Sequence, residues 1–114
     1  MPQDGYLDYV ELPAPDMEAT KRFYGSVFGW SFTDYGPDYA EFDSGGRKGG
    51  FNAELKVVES GGALIVLRAG DLDAMEAKVT AAGADVIAHH AFPGGRRFHF
   101  RDPNGNELAV WSDK

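Results

Sequence analysis

The sequence predicts an α+β fold built from two strand–helix–three-strand modules, for three reasons. Two helix-starting aspartates, Asp16 and Asp71, stand 55 residues apart, and two helix-ending glycines, Gly29 and Gly83, stand 54 apart. Three short strand-like segments, bounded by Gly and Pro turns, follow each helix. Each four-stranded module would place one sheet face under its helix and leave the other bare. Two modules can bury the bare faces together or join them around a cavity. A single sheet with two similar halves is the alternative that periodicity leaves open.

The elements follow in order. Tyr6–Leu12 alternates imperfectly and reads as a strand, stopped by Pro13 and Pro15, which donate nothing to a ladder. Asp16 stands as N-cap, ready to accept from an orphan helical N–H. Ala19, Phe23 and Val27, with Tyr24 and Phe28 one face over, recur at helical spacing, and Gly29 ends the run. Trp30–Thr33, Tyr39–Phe42 and Phe51–Leu55 read as strands. Gly36-Pro37 is a turn, and GGRKGG at 45–50 reads as a hairpin turn, because it lacks the helix and Lys-Ser/Thr ending of a phosphate loop. In the second half, Ala63–Ala69 is a strand. Leu72, Met75, Val79 and Ala82 form a helical stripe ended by Gly83. Asp85–Ala88, Arg97–Arg101 and Asn106–Trp111 are three more strands. The turns are Pro93-Gly94-Gly95 and Asp102-Pro103-Asn104-Gly105. Gly61-Gly62 is the natural joint between a first module, about 5–60, and a second, about 63–113, within a single domain over 1–114.

Composition narrows the function. Eleven Lys and Arg against eighteen Asp and Glu give a net charge of −7 and a pI near 4.8. Nucleic acid is not an expected partner, because the only basic clusters are the pairs Arg47-Lys48 and Arg96-Arg97. No apolar run is long enough to span a bilayer, and the N-terminus lacks the basic and apolar regions of a secretory signal. With no cysteine, disulfides, thiolate metal sites and cysteine nucleophiles are excluded, and a cytoplasmic location is expected.

Three segments carry a family resemblance: DYVELPAPDMEATKRFYGSVFGW, ALIVLRAGDLDAMEAKVTAAGA and GGRRFHFRDPNGNELAVW. Together they resemble the vicinal oxygen chelate superfamily, which includes glyoxalase I, the bleomycin-resistance proteins, the fosfomycin-resistance enzymes and the extradiol dioxygenases. The chain is similar to the group described as predicted enzymes related to lactoylglutathione lyase. The resemblance implies paired βαβββ modules forming a split, cavity-enclosing barrel, and commonly a homodimer. It also implies a divalent metal holding two vicinal oxygens of a substrate as Lewis acid. The three ligand positions so implied hold Tyr9, Leu64 and Ala109 here. A phenol, an isobutyl and a methyl group cannot replace imidazole and carboxylate ligands. No metal or other cofactor is therefore expected. The bleomycin-resistance precedent remains: binding a small, partly aromatic molecule without a catalytic metal. A metal-independent lyase or isomerase is the alternative.

Strand parity supplies the lining, since alternate side chains share a face. The former ligand face carries Leu7, Tyr9 and Glu11 on the first strand, and Leu64, Val66 and Arg68 on the central one. It carries Glu107, Ala109 and Trp111 on the last strand. His99 joins it by resemblance, with Arg97 and Arg101 sharing its face, while Phe98 and Phe100 turn toward the helix. Glu11, His99 and Glu107 are the candidate proton-transfer groups. For His99 the competing reading is a packed, hydrogen-bonded histidine. For the glutamates it is ion pairing with the neighbouring arginines. Tyr9 could donate a proton, stack on a flat ligand, or be a satisfied core phenol. Trp30 reads as packing, and His89-His90 as a solvated loop. Asp102-Pro103-Asn104-Gly105 reads as scaffold, with Asp102 accepting backbone N–H bonds two residues on.

Overall fold

The computed structural model describes residues 4–59 and 61–114. Its first sheet contains β1 (Val10–Pro13), β2 (Ser31–Asp34), β3 (Tyr39–Asp43) and β4 (Lys48–Asn52), with α1 (Met17–Phe28) after β1. Its second contains β5 (Ile65–Arg68), β6 (Asp85–Phe92), β7 (Gly95–Arg101) and β8 (Glu107–Ser112), with α2 (Leu72–Ala81) after β5. The sheet orders are β1-β4-β3-β2 and β5-β8-β7-β6. In each, one parallel pair, β1–β4 or β5–β8, joins an antiparallel meander. The two-module reading holds.

Both helices start as their sequences dictate. Asp16 Oδ1 accepts from Ala19 N at 3.1 Å, and Asp71 Oδ1 from Ala74 N at 3.0 Å. Gly29 caps α1 in the left-handed region at φ 73°. The α2 cap is Ala82, and Gly83 follows it at φ 92°. α1 is the hinge of the core. On one side Trp30 stacks between Tyr24 (4.7 Å) and Phe42 (4.6 Å), against the first sheet. On the other, Phe23 and Phe28 meet Phe100 of the second sheet at 5.9 and 6.1 Å. Each aromatic pair adds about 0.5–1.5 kcal/mol beyond its buried area. Trp30 is thus a packing residue, as its place after Gly29 suggests.

Several boundaries differ from the sequence reading. Tyr6–Tyr9 precede β1, which runs one residue further, to Pro13. The central strand is shorter than 63–69. The strand expected at Phe51–Leu55 is β4, Lys48–Asn52, so half of the presumed GGRKGG turn is strand. The glycines there are required by packing. A Cβ on Gly49 would collide with the Phe42 ring and the Val10 carbonyl, and one on Gly50 with the Tyr39 hydroxyl. The strand beginning at Asp85 runs on to Phe92, so His89 and His90 are strand residues and not a solvated loop. His89 is held there by Glu76 of α2, at 2.8 Å.

The sheets are curved but do not close into a barrel around a cavity among the described residues. The reason is packing: the helix-side faces of both sheets share one core through α1, so the other faces stay uncovered. The modules are locked by the turn after β7. Asp102, 5 % exposed, accepts four hydrogen bonds, from Asn104 N, Asn106 N, Tyr24 Oη and Asn106 Nδ2, at 2.9–3.1 Å. Asn104 accepts from Asp16 N (2.9 Å) and donates to Thr20 Oγ1 (2.7 Å), while Asn106 donates to the Pro13 carbonyl (2.7 Å). The Tyr24 phenol is pushed well above its usual pKa by burial first, then by the Asp102 charge, so it stays a donor.

Gly105 holds φ +97°, with room around the position where a Cβ would sit. Gly105→Val therefore acts through backbone strain, costing about 1–3 kcal/mol and lowering the melting temperature by roughly 4–12 °C. Urea unfolding checks this, and an unchanged midpoint would show that the turn relaxes freely.

Candidate functional site

The uncovered face of the second sheet gathers most of the predicted lining. Val66 pairs with Ala109, which pairs with His99, which pairs with Ala88. One step along, Arg68, Trp111, Arg97 and His90 stand in register. Phe98 and Phe100 turn to the helix side and are fully buried, as parity requires. Val66 remains 44 % exposed and Phe92 41 %.

His99 is a buried polar group on this face. Its side chain is 8 % exposed, and Nδ1 lies 2.7 Å from Glu107 Oε2. With Glu107 ionised, Nδ1 carries the proton and donates, which fixes ring orientation and tautomer. The opposite nitrogen, Nε2, is buried and has no partner among the described residues. The His90 ring stands edge-on to His99 at 5.2 Å.

The expected arginine–glutamate pairs do not form among the described residues. Glu107 is taken by His99. Arg101 donates to the carbonyls of Glu59 (3.0 Å) and Gly105 (3.1 Å). Arg68 pairs with Asp113 at 3.2 Å and lies over the Trp111 ring at 5.7 Å. These partners sit in loops and the C-terminal segment, which strand parity does not reach.

Tyr9 and Glu11 stand on the uncovered face of the first sheet and form a hydrogen-bonded chain. Tyr39 Oη donates to Glu11 Oε1 at 2.8 Å, and Asn52 Nδ2 donates to Oε2 at 3.2 Å. Tyr39 has a single proton, so Tyr9 must be the donor in the 3.0 Å Tyr9–Tyr39 contact. Burial first, then the bonds to Tyr9 and Glu11, raises the Tyr39 pKa and keeps that phenol neutral. Both hydroxyls lie over the bare backbone of Gly50. Sequence reasoning missed Tyr39 and Asn52. The alternation in YAEFD, apolar Ala40 and Phe42 against Tyr39 and Glu41, held the signal for the first.

The two sheets meet at a cleft of about 370 Å³, lined among others by Glu11, Pro13, Val58, Leu64, Asn106 and Glu107. Both candidate carboxylates thus reach one cleft from different sheets, and Leu64 forms part of its apolar wall. Tyr9, Leu64 and Ala109, the positions of the implied metal ligands, offer one phenol as their whole donor set. They do not fit a divalent metal site. Among the described residues no group of three or more His, Asp or Glu is placed to hold a metal ion.

Comparison with known proteins agrees with this architecture. The family model of the glyoxalase/bleomycin resistance protein/dioxygenase superfamily matches residues 6–110. A glyoxalase/bleomycin resistance protein/dioxygenase family enzyme from Burkholderia phytofirmans is 22 % identical. It covers 95 % of this chain and 100 % of its own, with a TM-score of 0.79. The lactoylglutathione lyase of Agrobacterium tumefaciens is also 22 % identical, covering 97 % and 96 %, with a TM-score of 0.76. A mutant of the fosfomycin resistance protein FosX from Listeria monocytogenes, complexed with Mn(II) and 1S,2S-dihydroxypropylphosphonic acid, is 16 % identical. It covers 96 % and 90 %, with a TM-score of 0.82. The search of curated proteins finds no match. With its paired modules and a family match over nearly its whole length, the chain belongs to the glyoxalase/bleomycin resistance protein/dioxygenase superfamily.

Proposed function

We propose that this protein binds a small, partly aromatic molecule on the uncovered sheet faces, without a metal. The observation that carries the reading is the second sheet's bare face. It combines exposed apolar side chains, Val66 and Phe92, with a fixed polar group, the His99–Glu107 pair, beside Trp111. Apolar surface with a few oriented polar groups is the ordinary composition of a ligand site. The absence of cysteine suits a reducing compartment, and the cytoplasm is the proposed location. Among the described residues no helix is long and apolar enough to cross a membrane.

A thermal-shift screen of neutral and charged aromatic compounds tests this. A ligand present at a hundred times its dissociation constant adds about 2.7 kcal/mol. The melting temperature should then rise by on the order of 5–10 °C. Val66→Asp, an exposed change, should abolish the shift. A screen in which no compound stabilises the protein overturns the reading.

A metal-independent lyase or isomerase is the second reading, favoured by the 2.7 Å contact that orients His99 as a carboxylate-held base. Binding is preferred because His99 Nε2, the nitrogen that would take the proton, is shielded in the free protein. The readings separate by incubating a ligand from the screen in deuterium oxide and following its acidic C–H by NMR. Binding alone leaves the signal intact. Signal loss that disappears in His99→Ala and persists in Glu11→Gln would establish catalysis through the imidazole.

We also propose a homodimer that completes the cavity one chain leaves open. The exposed apolar side chains on the bare faces and the unpaired outer strands support it. Light scattering at tens of micromolar should report twice the 12.4 kDa chain mass. A species of single-chain mass would overturn this.

A further inference from the structure

Three arginines share the bare face of the second sheet, and two have partners. Arg68 has Asp113 and the Trp111 ring, and Arg101 has two backbone carbonyls. Arg97, partly buried, makes no ion pair or hydrogen bond among the described residues, and its Nε is shielded from solvent without a partner. Two residues along the same strand and on the same face, His99 Nε2 is in the same condition, in a side chain more than nine-tenths buried. A guanidinium Nε and an imidazole Nε2 on adjacent side chains are therefore each desolvated with no partner among the described residues. Such a group costs free energy unless something satisfies it.

We infer that Arg97 forms an oxyanion site that holds a carboxylate or phosphate group borne on a flat ring, with His99 Nε2 beside it as an acceptor for a ligand O–H. The inference rests on the ligand-binding reading above and names its ligand class. The guanidinium fork matches the two oxygens of such a group. The ring component follows from the neighbours: Trp111 on β8 and His90 on β6 are the register partners of Arg97, so its strand position is flanked by two residues with flat side chains. Ala109 and Ala88 flank His99 in register and leave the face low around it. The net charge of −7 repels anions, so general attraction does not account for a guanidinium kept unpaired here.

Benzoate, phenyl phosphate and neutral benzyl alcohol, titrated into the intact protein by calorimetry, test the proposal. The arms of the titration tell carboxylate from phosphate. At least one of the two anions should bind about tenfold or more tightly than benzyl alcohol. Arg97→Gln should remove that advantage. Arg97→Lys, which keeps the charge but loses the fork, should restore part of it. Arg22→Gln, on the far side of α1, should change nothing. Nitrogen-15 NMR of the arginine Nε–H groups reads the site without any substitution, and the anion should move one signal, absent in Arg97→Lys. Equal binding of benzyl alcohol and both anions overturns the inference while leaving aromatic binding standing. Absence of binding by all three probes and by the wider aromatic screen removes both. No anion binding, with Arg97→Gln halving the mass seen by light scattering, would make Arg97 a contact to a partner subunit and overturn the inference.

Discussion

The buried carboxylate of Asp102 is the constraint on which the rest of the molecule depends. It receives two backbone N–H groups, a phenol and an amide, which fills the acceptor sites of a carboxylate. Hydrogen bonds to a charged group contribute about 1.5–3 kcal/mol each, and an unsatisfied buried donor costs about 1–3 kcal/mol. Loss of this one side chain would leave Tyr24 Oη and the turn's N–H groups without acceptors inside the core. The same turn supplies Asn104 and Asn106, which reach the start of α1 and the end of β1. One five-residue segment thereby shapes the β7–β8 hairpin and fixes the angle between the modules.

That joint decides where binding chemistry can be. Because the modules meet through α1 and their helix-side faces, the bare faces remain outside the shared core. They differ in character. The first sheet's face is polar and internally satisfied, with Tyr9, Tyr39, Glu11 and Asn52 bonded in a chain and Lys48 near Glu41 at 3.8 Å. The second sheet's face keeps exposed aliphatic and aromatic surface and two buried nitrogens without a partner among the described residues. The proposed ligand site sits on the second, because unmet bonding capacity concentrates there.

What was legible in the sequence follows from what is local. Helix starts at Asp16 and Asp71, the Gly29 cap and the alternation around Phe98 and Phe100 are set by neighbours within a few residues, and all appear in the structure. The β4 strand was not legible, because Gly49 and Gly50 are strand glycines only in view of Phe42, Val10 and Tyr39, which are distant in sequence. His89 and His90 were misread for a similar reason: Glu76, on another element, holds the strand there. Parity put Glu107 and the arginines on one face correctly, but it carries no information about loops. The true partners of Arg68 and Arg101 lie in loops and near the C-terminus. The DPNGN turn was readable as a turn, while its role as a clamp between modules depends on side chains reaching about ninety residues back to Asp16, Thr20 and Pro13.

The positions of the polar groups among the described residues do not suit a metal ion. The positions the resemblance assigns to metal ligands carry Tyr9, Leu64 and Ala109, while the carboxylates stand two residues away on the same faces, at Glu11 and Glu107. Two residues along a strand is roughly 6.6 Å, whereas a metal ion needs its ligands within about 2.0–2.3 Å. The shifts also run in opposite senses, toward the C-terminus of β1 and the N-terminus of β8, and each carboxylate is already engaged by neighbouring side chains. Both border the cleft between the sheets, but among the described residues no third His, Asp or Glu joins them in a group placed to hold a metal ion. Beside that cleft lies the sheet face on which an oriented imidazole and the Arg97 guanidinium keep hydrogen-bonding capacity that no described residue uses.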